Sequence, residues 1–207
     1  STHAIGNAAR LIAWGRCNAV VTGGTESAVT LTALAGFTNM TALSSTLVSK
    51  PFDATRDGFI MGEGAAIFIL ERLDLALKRG AMIIGEVVGA ASNADAHHIT
   101  APSPGGVGAA ACMHLALSDA DLSPADIAQI NAHGTSTPLN DAAESEAITK
   151  VFGQKSPPVV SIKGVTGHPL GAAGALEAAA VLLSFDKRLI PPTAGTTALD
   201  PMMNIDL

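Results

Sequence analysis

The stretch Asn131–Pro138, Asn-Ala-His-Gly-Thr-Ser-Thr-Pro, gathers side chains that could do chemistry together. A short strand pattern leads into it, because the apolar residues Ile130 and Ala132 alternate with polar neighbours. Gly134 permits a turn, and Pro138 suits the first turn of a helix, where its missing N–H costs nothing. An imidazole and several hydroxyls are therefore expected where a strand passes into a helix, an edge at which open α/β sheets bind ligands. A capped turn with a hydrogen-bonded histidine explains the same residues equally well.

A second stretch, Ser161–Gly174, repeats this plan. Residues 159–162 read as a buried strand, Lys163 lies at its end, and His168 is followed by Pro169, which is expected to open another helix. Two histidines, each placed between a strand and a helix, raise the expectation of a shared site. The two stretches show no convincing internal sequence repeat.

The composition favours a sheet that is buried on both faces. Hydrophobic residues make up 48% of the 207-residue chain, charged residues 14% and aromatic residues 3%. The net charge of −6, without a basic cluster, argues against a nucleic-acid partner. The most apolar stretch, Leu170–Phe185, is short for a membrane span and carries Glu177 at its centre, so a buried helix is expected there.

The two cysteines, Cys17 and Cys112, lack the spacing of a metal site or of a disulfide framework. Both are expected to be buried structural thiols, and a reducing cytoplasm is the favoured location. No signal peptide is visible, since no basic region precedes an apolar run.

Helical and strand patterns alternate along the chain, which predicts a mostly parallel sheet covered by helices. Leu31–Met40 fits either a helix or an irregular apolar segment, and Ile190–Thr193 fits the start of a further crossover. The remaining expected helices are His3–Gly15, Arg72–Arg79, Gly106–Ser118, Leu139–Phe152 and Pro169–Asp186, and the expected strands are Ala19–Thr22, Ala65–Leu70 and Ile83–Ser92.

Asn131–Pro138 with Asp141 and Glu144, followed by Lys163–His168 and Leu170–Gly174, resembles the β-ketoacyl-acyl-carrier-protein synthases of the thiolase superfamily. The likeness is to the chain-elongating type II enzymes (condensing enzyme II), and it runs essentially along the whole chain. It implies an α/β, thiolase-like five-layer α-β-α-β-α fold that is incomplete here. Residues 1–80 would be the end of the N-terminal half, and residues 81–207 would be most of the C-terminal half.

The resemblance implies a decarboxylative Claisen condensation between an acyl group held on a cysteine and malonyl on acyl-carrier protein. His133 and His168 would donate N–H hydrogen bonds to a thioester oxygen as negative charge develops on it. Lys163 and Glu144 would form a charged network, a buried Lys–Glu pair, behind the histidines. Two unrelated buried histidines and an ordinary ion pair are the structural alternatives.

The resemblance also implies contacts to the substrate. Thr135 and Thr137, with Thr100 as a third contact, would bind the phosphopantetheine arm of acyl-carrier protein, and His98 would lie near the same entrance. Phe37 maps to the wall of the acyl pocket. A loop hydroxyl at Thr100 and a core phenylalanine at Phe37 are the alternatives. The implied partners are acyl-carrier protein and a second copy in a homodimer, with no cofactor and no metal.

In the resembling enzymes the nucleophilic cysteine lies three residues before the position of Ser1, and a glycine-rich Phe-Gly-Phe-Gly-Gly stretch follows beyond the position of Leu207. Neither is present in this sequence. We therefore expect an internal piece of a synthase that forms no acyl-enzyme alone. A polyketide ketosynthase, a non-condensing chain-length factor or decarboxylase, and a structural or carrier-docking module stay open as alternatives.

Overall fold

A computed structural model describes residues 1–207 as seven α-helices and four short β-strands, connected by long turns. In chain order these are α1 (Thr2–Ala13), β1 (Ala19–Glu26), α2 (Leu31–Asn39), β2 (Gly64–Glu71), α3 (Leu73–Lys78), α4 (Val107–Asp119), β3 (Ile130–Asn131), α5 (Pro138–Phe152), β4 (Val159–Val160), α6 (Lys163–Thr166) and α7 (Ala173–Lys187).

Strands β1 and β2 form an antiparallel pair in which Ala19 lies opposite Glu71 and Glu26 lies opposite Gly64. The sequence predicted that β1 would stop before Gly23, and this was wrong. The strand continues because a glycine lets the backbones approach closely: a Cβ at Gly23 would lie 2.1 Å from the carbonyl oxygen of Ala66. Helices α1 and α7 pack against this pair.

Strands β3 and β4 are parallel, with Ile130 opposite Val159 and Asn131 opposite Val160. Helix α5 packs against them through Ile148, which is fully buried. The core at this point combines residues from five separate segments, namely Phe52, Ala132, Ile148, Val159, Met203 and Ile205. This packing fixes the end of β3, two residues before His133.

The sequence predicted a mostly parallel sheet, and this was wrong for the strand pairs in the structure. The longer pair, β1 and β2, is antiparallel, and only the two-residue pair of β3 and β4 is parallel. The predicted strand Ile83–Ser92 pairs with no other strand. Instead, the backbone of Ala90 forms hydrogen bonds with two side chains. Ala90 O accepts from Arg10 Nη2 at 2.6 Å, and Ala90 N donates to Asp119 Oδ2 at 2.8 Å. Apolar patterning indicates an extended segment but does not identify its partner.

The second histidine unit also differs from its prediction. Lys163 begins the short helix α6 instead of closing a strand, and α7 starts at Ala173, after a tight turn over 170–172 in which Leu170 has φ +35°. Helix α7 was expected to be buried, yet Leu183 and Phe185 are exposed. Residues 190–193 form no regular element. None of the helices combines the length and the apolar character needed to cross a membrane.

Candidate active site

His133 and His168 come from separate loops and meet edge to face. Their ring centroids are 5.2 Å apart, and the ring planes are inclined at 84°. His133 follows β3 after Ala132, and His168 follows α6 after Gly167. The convergence that the two sequence patterns led us to expect is therefore present in the fold.

The backbone at His133 is held by the carboxylate of Glu144, in the second turn of α5. Its Oε1 accepts from His133 N at 2.6 Å, and its Oε2 accepts from Gly134 N at 2.7 Å. Desolvation by burial raises the pKa of Glu144 from 4.5 to about 6, the two backbone hydrogen bonds oppose that shift, and the charge of Asp141 adds to it. Glu144 thus fixes the loop through both of its oxygens.

The far end of the same loop is held by Asp141, which is fully buried. Its Oδ2 accepts from Ser136 N at 3.1 Å and from Phe52 N at 2.8 Å. Both donor residues have left-handed backbones, with φ of +68° at Ser136 and +62° at Phe52, which costs energy at a residue with a side chain. Burial raises the pKa of Asp141, while these bonds and the charge of Arg56, whose Nε is 4.0 Å away, lower it.

The ammonium group of Lys163 lies behind His133 and is almost fully buried. It donates to the backbone oxygen of His133 and forms an ion pair with Glu177. The predicted buried pair between Lys163 and Glu144 is therefore wrong: Glu144 is occupied by backbone N–H groups, and α7 supplies the partner acid. The signal for Glu177 was present in the sequence as a single carboxylate inside a long apolar run.

Lys163 also determines which nitrogen of His133 carries the proton. Lys163 Nζ lies 3.4 Å from His133 Nδ1, and an ammonium group can only donate. Nδ1 is therefore the acceptor, so the ring proton of a neutral His133 lies on Nε2. That places one N–H donor on the side of the ring away from Lys163.

Both imidazoles are neutral at pH 7. Desolvation lowers the pKa of His168 from 6.5 to about 4, and the charge of Lys163 contributes. The pKa of His133 is lowered for the same reasons in the same order, with a further contribution from His168. Part of His133 remains exposed to water, which opposes its desolvation.

Backbone contacts and aromatic rings position His168. His168 N donates to Ile60 O at 2.7 Å, and Gly62 N donates to His168 O at 3.1 Å. The Phe59 ring lies edge-on to His168 at 5.0 Å, and the Phe37 ring lies edge-on to Phe59 at 5.4 Å. Phe37 is therefore one ring removed from the histidine, and Phe59 is a site residue that the sequence patterns did not single out.

The four polar residues expected to contact substrate fall into two groups. Thr135 and Thr137 belong to the loop of His133, where their hydroxyls lie 2.9 Å apart. Thr100 and His98 are exposed on a different loop, where His98 Nδ1 accepts from Thr100 N at 3.2 Å. Other residues of that loop reach the histidine: Asp95, Pro102 and Ser103 line a cavity of about 240 Å³ together with Gly106, Ala109, His133, Asn140, Ala143 and Glu144.

Helix α1 begins beside the second histidine unit. Ser1 Oγ accepts from Ala175 N at 2.9 Å, and a Cβ at Gly24 would lie 2.8 Å from Gly171 O.

Cys17 and Cys112 lie outside both histidine loops; their thiols are free, and both residues are half-buried rather than fully buried as expected. No cluster of His, Cys, Asp and Glu side chains is arranged to hold a metal ion.

Solved structures define the class of this fold. A β-ketoacyl synthase from Burkholderia phymatum superimposes with a TM-score of 0.94 at 41% identity, over 99% of this chain and 51% of that one. The ishigamide ketosynthase/chain length factor gives 0.94 at 40% identity, over 100% and 50% of the chains. A type II polyketide acyl-carrier protein in complex with its ketosynthase gives 0.96 at 37% identity, over 99% and 52%. The fold is the thiolase-like fold of ketosynthases.

Family models cover most of the sequence. The beta-ketoacyl synthase N-terminal domain matches residues 1–76, and the beta-ketoacyl synthase C-terminal domain matches residues 84–197. The chain belongs to the β-ketoacyl synthase family.

Curated relatives carry a more specific name. The 3-oxoacyl-[acyl-carrier-protein] synthase 2 of Synechocystis sp. is 45% identical over 99% of this chain, and that of Staphylococcus aureus is 43% identical over 100%. The match covers 51% and 53% of those two proteins, so this chain spans about half the length of the curated relatives it matches.

Proposed function

We propose that the protein carrying this sequence is a 3-oxoacyl-acyl-carrier-protein synthase of fatty-acid biosynthesis. The observation that carries the proposal is the pair of imidazole rings supplied by two separate loops, with their centroids 5.2 Å apart. Residues 1–80 would belong to the N-terminal half of the thiolase-like fold and residues 81–207 to its C-terminal half. The whole-protein activity rests on relatives that are about twice as long as this chain.

The chemistry follows from what two neutral imidazoles can do. When the malonyl thioester loses CO₂, the electron pair of the breaking C–C bond moves to the α-carbon and delocalises onto the thioester oxygen. N–H groups of His133 and His168 stabilise that oxygen, and the fixed Nε2–H of His133 needs no reorientation. The α-carbon then attacks the carbonyl of the acyl thioester, and the thiolate leaves. Lys163 and Glu144 would position the histidines without touching substrate.

The thiol arm of a carrier protein accounts for the polar residues beside the histidines. We propose that Thr135 and Thr137 bind the pantetheine arm, that Thr100 and His98 line its entrance, and that Phe37 bounds the acyl pocket. The solved complex of a related ketosynthase with its acyl-carrier protein supports a carrier as partner. A homodimer and a cytoplasmic location belong to the same proposal, and the free thiols agree with a reducing compartment.

A polyketide ketosynthase is the second candidate, because polyketide enzymes are among the solved structures with TM-scores of 0.94 to 0.96. The higher identity of the curated 3-oxoacyl-acyl-carrier-protein synthases, 43% and 45%, favours fatty-acid elongation. Mass spectrometry of the products separates the two, since a single elongation with malonyl indicates the first and repeated condensation without reduction indicates the second.

His168→Ala in the natural protein that carries this sequence tests the proposal. Loss of one N–H donor to the developing oxyanion is expected to slow malonyl-acyl-carrier-protein decarboxylation about 100-fold or more, measured as loss of the malonyl group by mass spectrometry. His133→Ala should act similarly. His114→Ala, on the exposed side of α4, is the matched control and should leave the rate unchanged. An unchanged rate in His168→Ala would overturn the proposal in favour of a structural or carrier-docking module.

A further inference from the structure

Asn140 lies between the two carboxylates that hold the loop of His133. Its Nδ2 donates to Asp141 Oδ1 at 3.1 Å and to Glu144 Oε2 at 3.4 Å. One amide nitrogen carries two hydrogens, so a single side chain can donate to both acids at once. Both carboxylates hold the His133 loop, and the amide of Asn140 between them has no role in the proposed reaction.

The two carboxylates need such a donor because they face the same turn of α5. Asp141 and Glu144 are three residues apart, a spacing at which like charges on a helix repel. The charge of Asp141 contributes to the raised pKa of Glu144, so the repulsion acts on the group that binds the backbone of His133. From other elements, the charge of Lys163 opposes that shift, Arg56 faces Asp141, and Asp95 lines the same cavity as Glu144. An N–H group placed between the acids stabilises the ionised form of each.

We propose that Asn140 is a positioning residue, which bridges Asp141 and Glu144 so that both stay ionised and together hold the two ends of the His133 loop. The proposal rests on the proposed function for its activity readout. Asp141 holds the loop at Ser136, and Glu144 holds it at His133 and Gly134. Without the bridge, protonation of Glu144 at higher pH would remove an acceptor from those two N–H groups.

The surroundings of Asn140 separate this role from a packing role. Asn140 is half-buried and lines the cavity of about 240 Å³ that it shares with His133 and Glu144. A substitution at Asn140 therefore leaves no void in the apolar core. The same cavity gives Glu144 space to turn away from the loop once its charge is lost.

The test compares the pH profile of malonyl-acyl-carrier-protein decarboxylation in the natural protein and three variants. Asn140→Asp is expected to move the acidic limb of the profile upward by about one pH unit, because a third carboxylate raises the pKa of Glu144. Asn140→Leu, which only removes the donor, should move it by a smaller amount in the same direction. Leu139→Asp adds the same charge on the exposed side of α5 and should leave the limb in place. Equal limbs in all four proteins, or a uniform loss at every pH, would overturn the role of Asn140.

A second measurement keeps this inference distinct from the proposed function. If the unaltered protein shows no decarboxylation, the proposed function fails, and the free energy of unfolding against pH then tests the bridge. The contributions of the two histidines cancel when Asn140→Asp is compared with Leu139→Asp. The loss of unfolding free energy that comes from Glu144 as pH rises should then extend to a pH about one unit higher in Asn140→Asp than in Leu139→Asp. Coincident unfolding profiles would overturn the bridge.

Discussion

The two loops that carry the histidines are held in opposite ways. The His133 loop, residues 131–138, is fixed by the side chains of Asp141 and Glu144, whose oxygens accept four backbone N–H bonds. The His168 loop, residues 167–172, is fixed at His168 itself by backbone pairing with Ile60 and Gly62, and a single carboxylate, Glu26, accepts from Gly171 N at 3.1 Å further along. One histidine therefore depends on ionisable groups for its position, and the other depends on steric fit.

Because of this difference, a change of pH can alter how one of the two imidazole donors, His133, is held in the site. Protonation of a carboxylate weakens its acceptor strength, whereas a backbone carbonyl does not titrate in the physiological range. Glu144, which holds the His133 loop from α5, has its pKa raised to about 6, close to neutral pH. Close backbone packing, by contrast, tolerates no added atoms.

The largest effect is expected in the His168 loop, from Gly62→Ala. A Cβ at Gly62 would lie 2.1 Å from the carbonyl oxygen of Thr166, and neither backbone can move freely. We expect a loss of about 3 kcal/mol in the free energy of unfolding, measured by urea denaturation, with no dependence on pH between about 6 and 8. Gly36→Ala, on helix α2 with open space around the new Cβ, is the matched control. Equal stability of the two variants would show that the His168 loop is not held by this fit.

A smaller, pH-dependent effect is expected in the His133 loop, from Glu144→Gln. The pKa of Glu144 is raised from 4.5 to about 6 in the folded chain. A raised pKa contributes stability that is present below the unfolded value and is lost as pH rises through the folded value. Relative to Glu144→Gln, the unaltered protein should therefore lose about 1 to 2 kcal/mol of unfolding free energy between about pH 4 and pH 7.

The histidine shifts cancel in this comparison because both proteins contain the same histidines. Exposed Glu146 lies on the same helix, so Glu146→Gln controls for the removal of one charge from α5. A difference that stays constant with pH, or one that grows in the other direction, would contradict the raised pKa of Glu144.

The sequence predicted the parts of the site that depend on local patterns. A strand ending before His133 and a helix from Pro138 follow from the alternation of apolar residues and from the proline, and both are present. These features depend on interactions between residues close together in the chain. The family and its fold were also indicated by the same short motifs.

The parts that the sequence did not predict depend on distant segments. Glu177 replaces Glu144 as the partner of Lys163 because the fold brings α7 to the ammonium group, and the spacing of residues in the sequence does not encode that approach. The left-handed backbone at Phe52 and its bond to Asp141 join segments 89 residues apart in the chain. The pairing direction of β1 and β2 likewise depends on where the chain returns after residues 27–63. Tertiary packing decides these features.

The smallest expected effect tests whether the His133 loop also contacts substrate through hydroxyls. Thr137→Val keeps the shape of the side chain but removes the partner of buried Thr135, 2.9 Å away. We expect a loss of about 1 kcal/mol in unfolding free energy. If Thr137 binds the carrier's arm, KM for malonyl-acyl-carrier protein should rise several-fold with little change in kcat. Thr38→Val, on the exposed side of α2, should change neither quantity. A fall in kcat at constant KM would instead place Thr137 in the support of His133, and an unchanged KM and kcat would remove it from the carrier site.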